Sequence, residues 1–192
     1  MEERKMMGEK WMKWTILEAT MKTSSKIVQK TIGVVSSTFG QVAFATFVVG
    51  LVQTIAGYVM AKKYNKKIFT DKGSIAGSIW FGLNAMTMTV LCFAVFLYNG
   101  DMGVNTFIIT LSIIPGALID TLFFGHKLNR KEWAGIGIAT LAGYSILGWP
   151  SLHQAMDLPS WVWLSFIVMM LGAINQGITQ KIKKIDPFVK NF

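Results

Sequence analysis

Apolar runs of about twenty residues recur along this chain, each closed by a short polar break. They cover 32–60, 74–98, 104–124, 133–149 and 161–179. A helix needs about 20 apolar residues to cross a bilayer core, so each run is long enough, or nearly so, to span it. No series of short alternating strands is present, which argues against an outer-membrane barrel. The pattern predicts an all-α, polytopic transmembrane helix bundle with about five strong spans. The run at 32–60 is longer than required, and Gly33, Ser36, Ser37 and Gly40 make its start soft, as a loop or a tilted extension.

The best-defined stretch is Ser112 to Ile146. Val104 to Phe124 is almost wholly apolar. Gly125 and the polar run His126 to Glu132 then bring the chain back to water. Trp133 re-enters, and Gly135, Ala139 and Gly143 follow at four-residue spacing. That spacing places three small residues on one helix face, the pattern that lets membrane helices approach closely.

Charge adds the orientation. The breaks at Lys62–Lys72, His126–Glu132 and Lys181–Lys184 are basic; those at Asn99–Gly103 and Pro150–Ser160 carry no Lys or Arg. Strict alternation of this kind puts the basic breaks on the cytoplasmic side, in a cytoplasmic (inner) membrane. The net charge of +9 is therefore read as topology, not as nucleic-acid binding. Residues 1–30 do not fit easily. They are basic and amphipathic, and Glu18, Lys22 and Lys26 would each cost about 2.5–3.5 kcal/mol at mid-bilayer. A surface helix, a degenerate first span and a wrong or shortened start are all open. The mean hydropathy of +0.45, with only 15% charged residues, is too apolar for an ordinary soluble domain.

The 112–146 stretch resembles the end of an EamA repeat of the drug/metabolite transporter superfamily. The family pattern is a proline, a small and apolar run, "flGErl", a polar spacer and an apolar helix with two glycines. Here it reads Pro115, Phe124-Gly125-His126-Lys127-Leu128, then Trp133-Ala134-Gly135 and Ala142-Gly143, with His126 where the family usually carries Glu. Asp186-Pro187-Phe188 resembles a family sequence that follows the first helix of a repeat. The resemblance implies an EamA-like repeat over 31–149. It also implies that 150–192 holds a loop, the first helix of a second repeat (161–179) and a basic end. A homodimer or a missing second repeat would complete a two-repeat transporter. The small multidrug resistance branch has a similar Gly-containing break and carries a glutamate in its first helix, a place that Glu18 would take here.

Asp120 is the sole acidic residue inside a strong span. An intramembrane carboxylate is costly, so it is a proton, ion or cation site candidate; the alternative is a residue near the helix end that reaches water or pairs with Lys127. Asn84, Gln53, Gln41, Asn175 and Gln176 either line a polar cavity or bond between helices. Trp80 and Tyr58 either stack on a substrate or pack. Pro115 kinks its helix and frees a carbonyl, as a gate or simply as a bend. Cys92 is alone and packs. No Walker loop, His-Glu-x-x-His or Cys-x-x-Cys is present, and the two histidines sit by loops, so neither enzyme chemistry, a metal site nor a cofactor is expected.

These readings imply a multi-pass transporter that moves a small-molecule substrate across the lipid bilayer. The alternatives are a small multidrug resistance-like dimeric efflux protein and a truncated, non-transporting membrane protein. An accessible polar cavity around Asn84, Pro115 and Asp120 would favour transport; a filled apolar centre would favour the last reading.

Overall fold

The computed structural model describes residues 2–66 and 72–181. Lys183, Lys184 and the Asp186-Pro187-Phe188 sequence fall outside the described residues, as does the side chain of Glu18. Among the described residues the fold is all-α. Its helices are α1 (Glu2–Val35), α2 (Phe39–Lys63), α3 (Lys72–Leu97), α4 (Met102–Thr110), α5 (Ile113–Phe124), α6 (Arg130–Ile146), α7 (Leu152–Met156) and α8 (Ser160–Lys181). Among the described residues, four stretches are long and apolar enough to cross a membrane: α2, the Ile75–Leu97 part of α3, Met102–Phe124 and α8. The chain is a multi-pass membrane protein.

The helix ends follow local chemistry. The soft start expected at residue 32 is a true break, displaced by a few residues. Ile32–Val35 complete α1, and Thr38 then caps α2 through its side chain, which accepts from the Gln41 N–H. Asp101 caps α4 by accepting from the Val104 N–H at 2.8 Å. Asn129 and Glu132 form a reciprocal capping box at the start of α6. Gly125 ends α5 in the left-handed region, φ +69°, where a Cβ would be strained, and its N–H returns to the Asp120 carbonyl. The 150–160 segment, read as loop, contains the short helix α7 behind a Ser151–Gln154 capping box.

The span expected at 104–124 is two helices joined through Leu111 and Ser112. Pro115 has no N–H to give the Leu111 carbonyl. That carbonyl accepts instead from Ile114 at 2.9 Å, one residue closer than in an α-helix. The freed acceptor is thus satisfied within the same helix turn.

Packing centres on α3 and α8, which lie side by side. α1 and α2 pack on α3; α4 and α5 pack on α8. The buried core is Phe93, Val95, Phe96, Ile108, Val162 and Val168, with the polar residues Asn105 and Ser165 among them. Most of it lies toward the ends of α3, α4 and α8 that meet the non-basic breaks. Large apolar side chains elsewhere face outward, such as Phe44, Phe47, Leu51 and Ile55 at helical spacing on α2. A helix bundle in lipid keeps such residues outside, because hydrocarbon solvates them as well as a core does.

The helix directions follow from contacts. Gly33 of α1 lies against Phe93 and Phe96 of α3, and Lys26 donates to the Cys92 thiol at 3.7 Å. Both contacts advance in the same sense, so α1 and α3 run parallel. The approach at Gly33 is close: a Cβ there would stand 2.5 Å from Phe96 Cβ and 2.7 Å from the Phe93 carbonyl oxygen.

Candidate functional site

The α4–α5 unit and α8 also run parallel, in one register. Ser165 donates to Asn105 at 2.9 Å, and Gln180 donates to Asp120 at 2.9 Å, both across an offset of 60 residues. The same offset brings Gly172 against Ser112 and Gln176 against Gly116. Small residues make this fit. A Cβ on Gly116 would lie 2.8 Å from Gln176 Oε1, and one on Gly177 would lie 3.1 Å from Ile119. The resulting ladder carries a polar or small residue at each rung, the means by which membrane helices associate where lipid supplies no hydrophobic drive.

Its two ends differ. At the non-basic end Asn105 and Ser165 are fully buried. The Ser165 hydroxyl lies 2.9 Å from both Asn105 Oδ1 and the Trp161 carbonyl, while Asn105 Nδ2 has no partner. At the basic end, where Gln180 still joins α8 to α5, an open cleft of about 470 Å³ lies between α8 and α3, lined by Phe81 of α3 and by Asn175, Gln176, Thr179 and Gln180 of α8. That volume falls within the range of small-molecule sites. Helical spacing explains the lining: Asn175, Gln176, Thr179 and Gln180 lie on one stripe of α8.

Asp120 stands beside this cleft, half-buried in the last turn or so of α5. Its carboxylate is held by Gln180, a wall residue of the cleft, and not by Lys127. Deeper in, Asn84 of α3 donates to the Leu171 carbonyl at 2.8 Å, and Asn175 Nδ2 points to Met88 Sδ at 3.9 Å. The buried Asn175 Oδ1 has no donor.

The sequence-derived candidates therefore separate. Asp120 adjoins the cleft and Asn84 ties α3 to α8, while Asn175 and Gln176 line the wall. Pro115 is buried at the α4–α5 junction. Gln53 is exposed on α2, and Trp80 is 66% exposed on α3; neither lines the cleft. The cleft described here lies nearer the basic end than the cavity expected around Asn84, Pro115 and Asp120, and is built mostly from α8. Of the small-residue trio, Gly143 is buried and a Cβ there would lie 2.7 Å from Leu111; Gly135 is exposed with open space beside it. Phe81, Thr179 and Gln180 were not singled out from sequence. The i, i+1, i+4, i+5 run of polar residues on an otherwise apolar α8 was the available signal.

Among the described residues no group of three or more His, Cys, Asp or Glu side chains converges as a metal site would require. Neither a curated protein nor a solved structure shows a significant match to the chain. The model of the EamA-like transporter family matches residues 14–148. That match begins inside α1, ends after α6 and takes in the Pro115-to-Gly143 pattern. A stretch this long, coinciding with a bundle of membrane-length helices, places the chain in the EamA-like transporter family.

Proposed function

We propose that the chain carries a small organic solute across the cytoplasmic membrane by alternating access, without chemistry on the solute. The carrying observation is the asymmetry along α8. At its non-basic end α8 is packed shut against α4 through Ser165 and Asn105, and at its basic end a polar-walled cleft opens between it and α3. A solute site reached from one side, with a packed constriction beyond it, is what one state of an alternating-access carrier requires. On the positive-inside rule the open side is cytoplasmic, and the closed side faces out.

In this reading α1 crosses the bilayer as a polar first helix. It runs parallel to α3, and the family match starts within it. Its 34 residues extend about 50 Å, more than the hydrocarbon core requires. α8 is the first helix of a second repeat, and either a second copy of the chain or further repeat helices complete the pathway.

Proteoliposomes holding the purified chain test this reading. Radiolabelled amines, amino acids, sugars and carboxylates are offered with and without an imposed proton or sodium gradient. Saturable, gradient-dependent accumulation of one class is expected. Uptake equal to that of empty liposomes for every class would reject transport by this chain.

A further inference from the structure

The cleft's surroundings have a chemical bias. Among the described residues its wall presents an aromatic ring, Phe81, two glutamines, an asparagine and a threonine, and no Lys, Arg or His. One charge that borders it is the Asp120 carboxylate, which Gln180 holds through Oδ1. One amide bond leaves most of a carboxylate's acceptor capacity unused, since an ionised carboxylate has about four lone-pair sites. The buried Asn175 Oδ1 is a second acceptor lacking a donor. Spare acceptors beside an aromatic face match a ligand that brings N–H donors, positive charge and an apolar body. An ammonium group on such a body satisfies all three, because the ring face attracts cations as well. An anionic solute would approach the Asp120 carboxylate beside the cleft, and no described residue of the cleft wall is a cation that could offset that charge.

Depth supports the same ligand. Asp120 lies four residues before the end of α5, about 6 Å along the axis. Asn175 lies six residues before the end of α8, about 9 Å in. A solute of modest length would set its charged group near Asp120 and Gln180 and direct its body inward. Lys181 is exposed at the rim, just beyond Gln180. It raises the potential at the mouth, and the carboxylate must prevail locally for a cation to settle.

From this juxtaposition we infer that the cleft selects a small organic cation, a primary or secondary amine on an apolar or aromatic body, with Asp120 and Gln180 holding the ammonium end. The inference rests on the transport reading of the same cleft and adds the substrate class.

The test uses three probes of similar shape: 2-phenylethylamine, 2-phenylethanol and phenylacetate. The chain carries Thr179→Cys in a Cys92→Ala background, is placed in nanodiscs, and is alkylated with a thiol reagent while each probe is titrated. The amine is expected to slow alkylation at concentrations at least tenfold below those needed for the alcohol or the carboxylate. Asp120→Asn, which retains an acceptor for Gln180, should abolish that preference, and Asp120→Glu should keep it. Melting temperatures of both variants check that they fold. Equal protection by all three probes, stronger protection by phenylacetate, no protection by any, or an unchanged preference in a folded Asp120→Asn protein would overturn the cation assignment. Transport of a neutral or anionic solute in the liposome experiment would leave the carrier reading standing while the cation inference fell. A Thr179→Cys thiol that never reacts would remove the accessible cleft, and both readings with it.

Discussion

Asp120 and Gln180 are joined by a 2.9 Å hydrogen bond that links the last turns of α5 and α8 at the basic end of the bundle. The bond closes one end of a register in which each rung pairs residues 60 apart, and Asn105 with Ser165 closes the other. Interhelical bonds in membranes average about 0.6 kcal/mol and reach about 1.7. A charged acceptor puts this one toward the upper part of that range. A double-mutant cycle of Asp120→Ala and Gln180→Ala, read by unfolding in detergent mixtures, should give a coupling of roughly 0.6–1.7 kcal/mol. A coupling near zero would mean that the bond does not contribute in the membrane-like state.

The opposite end is fully buried and already one partner short. Ser165→Ala removes one of Asn105's contacts and leaves that fully buried amide more poorly satisfied, at a cost of about 1–3 kcal/mol. Asn105→Leu combined with Ser165→Ala should regain much of the loss, because both polar groups then go together. If the pair serves as the outer constriction, the double variant should also slow transport while binding at the cleft is retained. Unfolding titrations and single-turnover uptake check the two parts separately.

Glycines divide by what lies beyond their missing Cβ. Gly33→Ala would place a methyl against a backbone oxygen and Phe96 Cβ, neither of which can swing aside, so α1 must move off α3. A loss of about 1–3 kcal/mol is expected. Gly82→Ala meets open space on α3 and should be neutral, or stabilising by up to about 1 kcal/mol. Equal effects of the two substitutions on melting temperature would show that α1 does not pack on α3 in the membrane.

Topology is tested with single cysteines at Glu2 and Asn99 in the Cys92→Ala background, using a membrane-impermeant thiol reagent on sealed vesicles of known orientation. A crossing α1 places the two positions on opposite sides, so only one should react from each face. Reaction of both from the same face would make α1 a surface helix and leave its contact with α3 unexplained.

Asn129→Ala should cost about 1 kcal/mol, since it removes the cap that accepts from both Lys131 and Glu132. Position 129 is not among the residues that line the cleft. The preference among the three phenyl probes should therefore be unchanged, which the alkylation assay reads directly.

How much of this was visible in the residues depends on the element. The runs behind α2, α3 and α8 were legible because a bilayer demands length and apolarity, and both are written linearly in the chain. Residues 1–30 were ambiguous because lysines at helical spacing suit a surface as well as a polar span. Only the neighbouring α3, with Cys92 opposite Lys26 and Phe96 opposite Gly33, sets the direction of α1. The 104–124 run concealed its junction, since Pro115 marks a bend without saying where the helix restarts.

The site was legible as chemistry and not as place. Asp120, Asn84, Asn175 and Gln176 drew notice because polar groups in hydrocarbon are costly wherever they lie. Trp80 and Gln53 drew the same notice and are exposed instead. Linear sequence thus determined an all-α membrane bundle, its alternating basic and non-basic ends and its EamA-like pattern, since each depends on composition and short-range spacing. The tertiary structure alone decided that α8 lies parallel to α4–α5 in a 60-residue register, and so that Gln180 meets Asp120. Which faces of two distant helices meet is set by the fit of Gly116, Gly172 and Gly177 against their partners, a match of shapes that neither helix carries by itself.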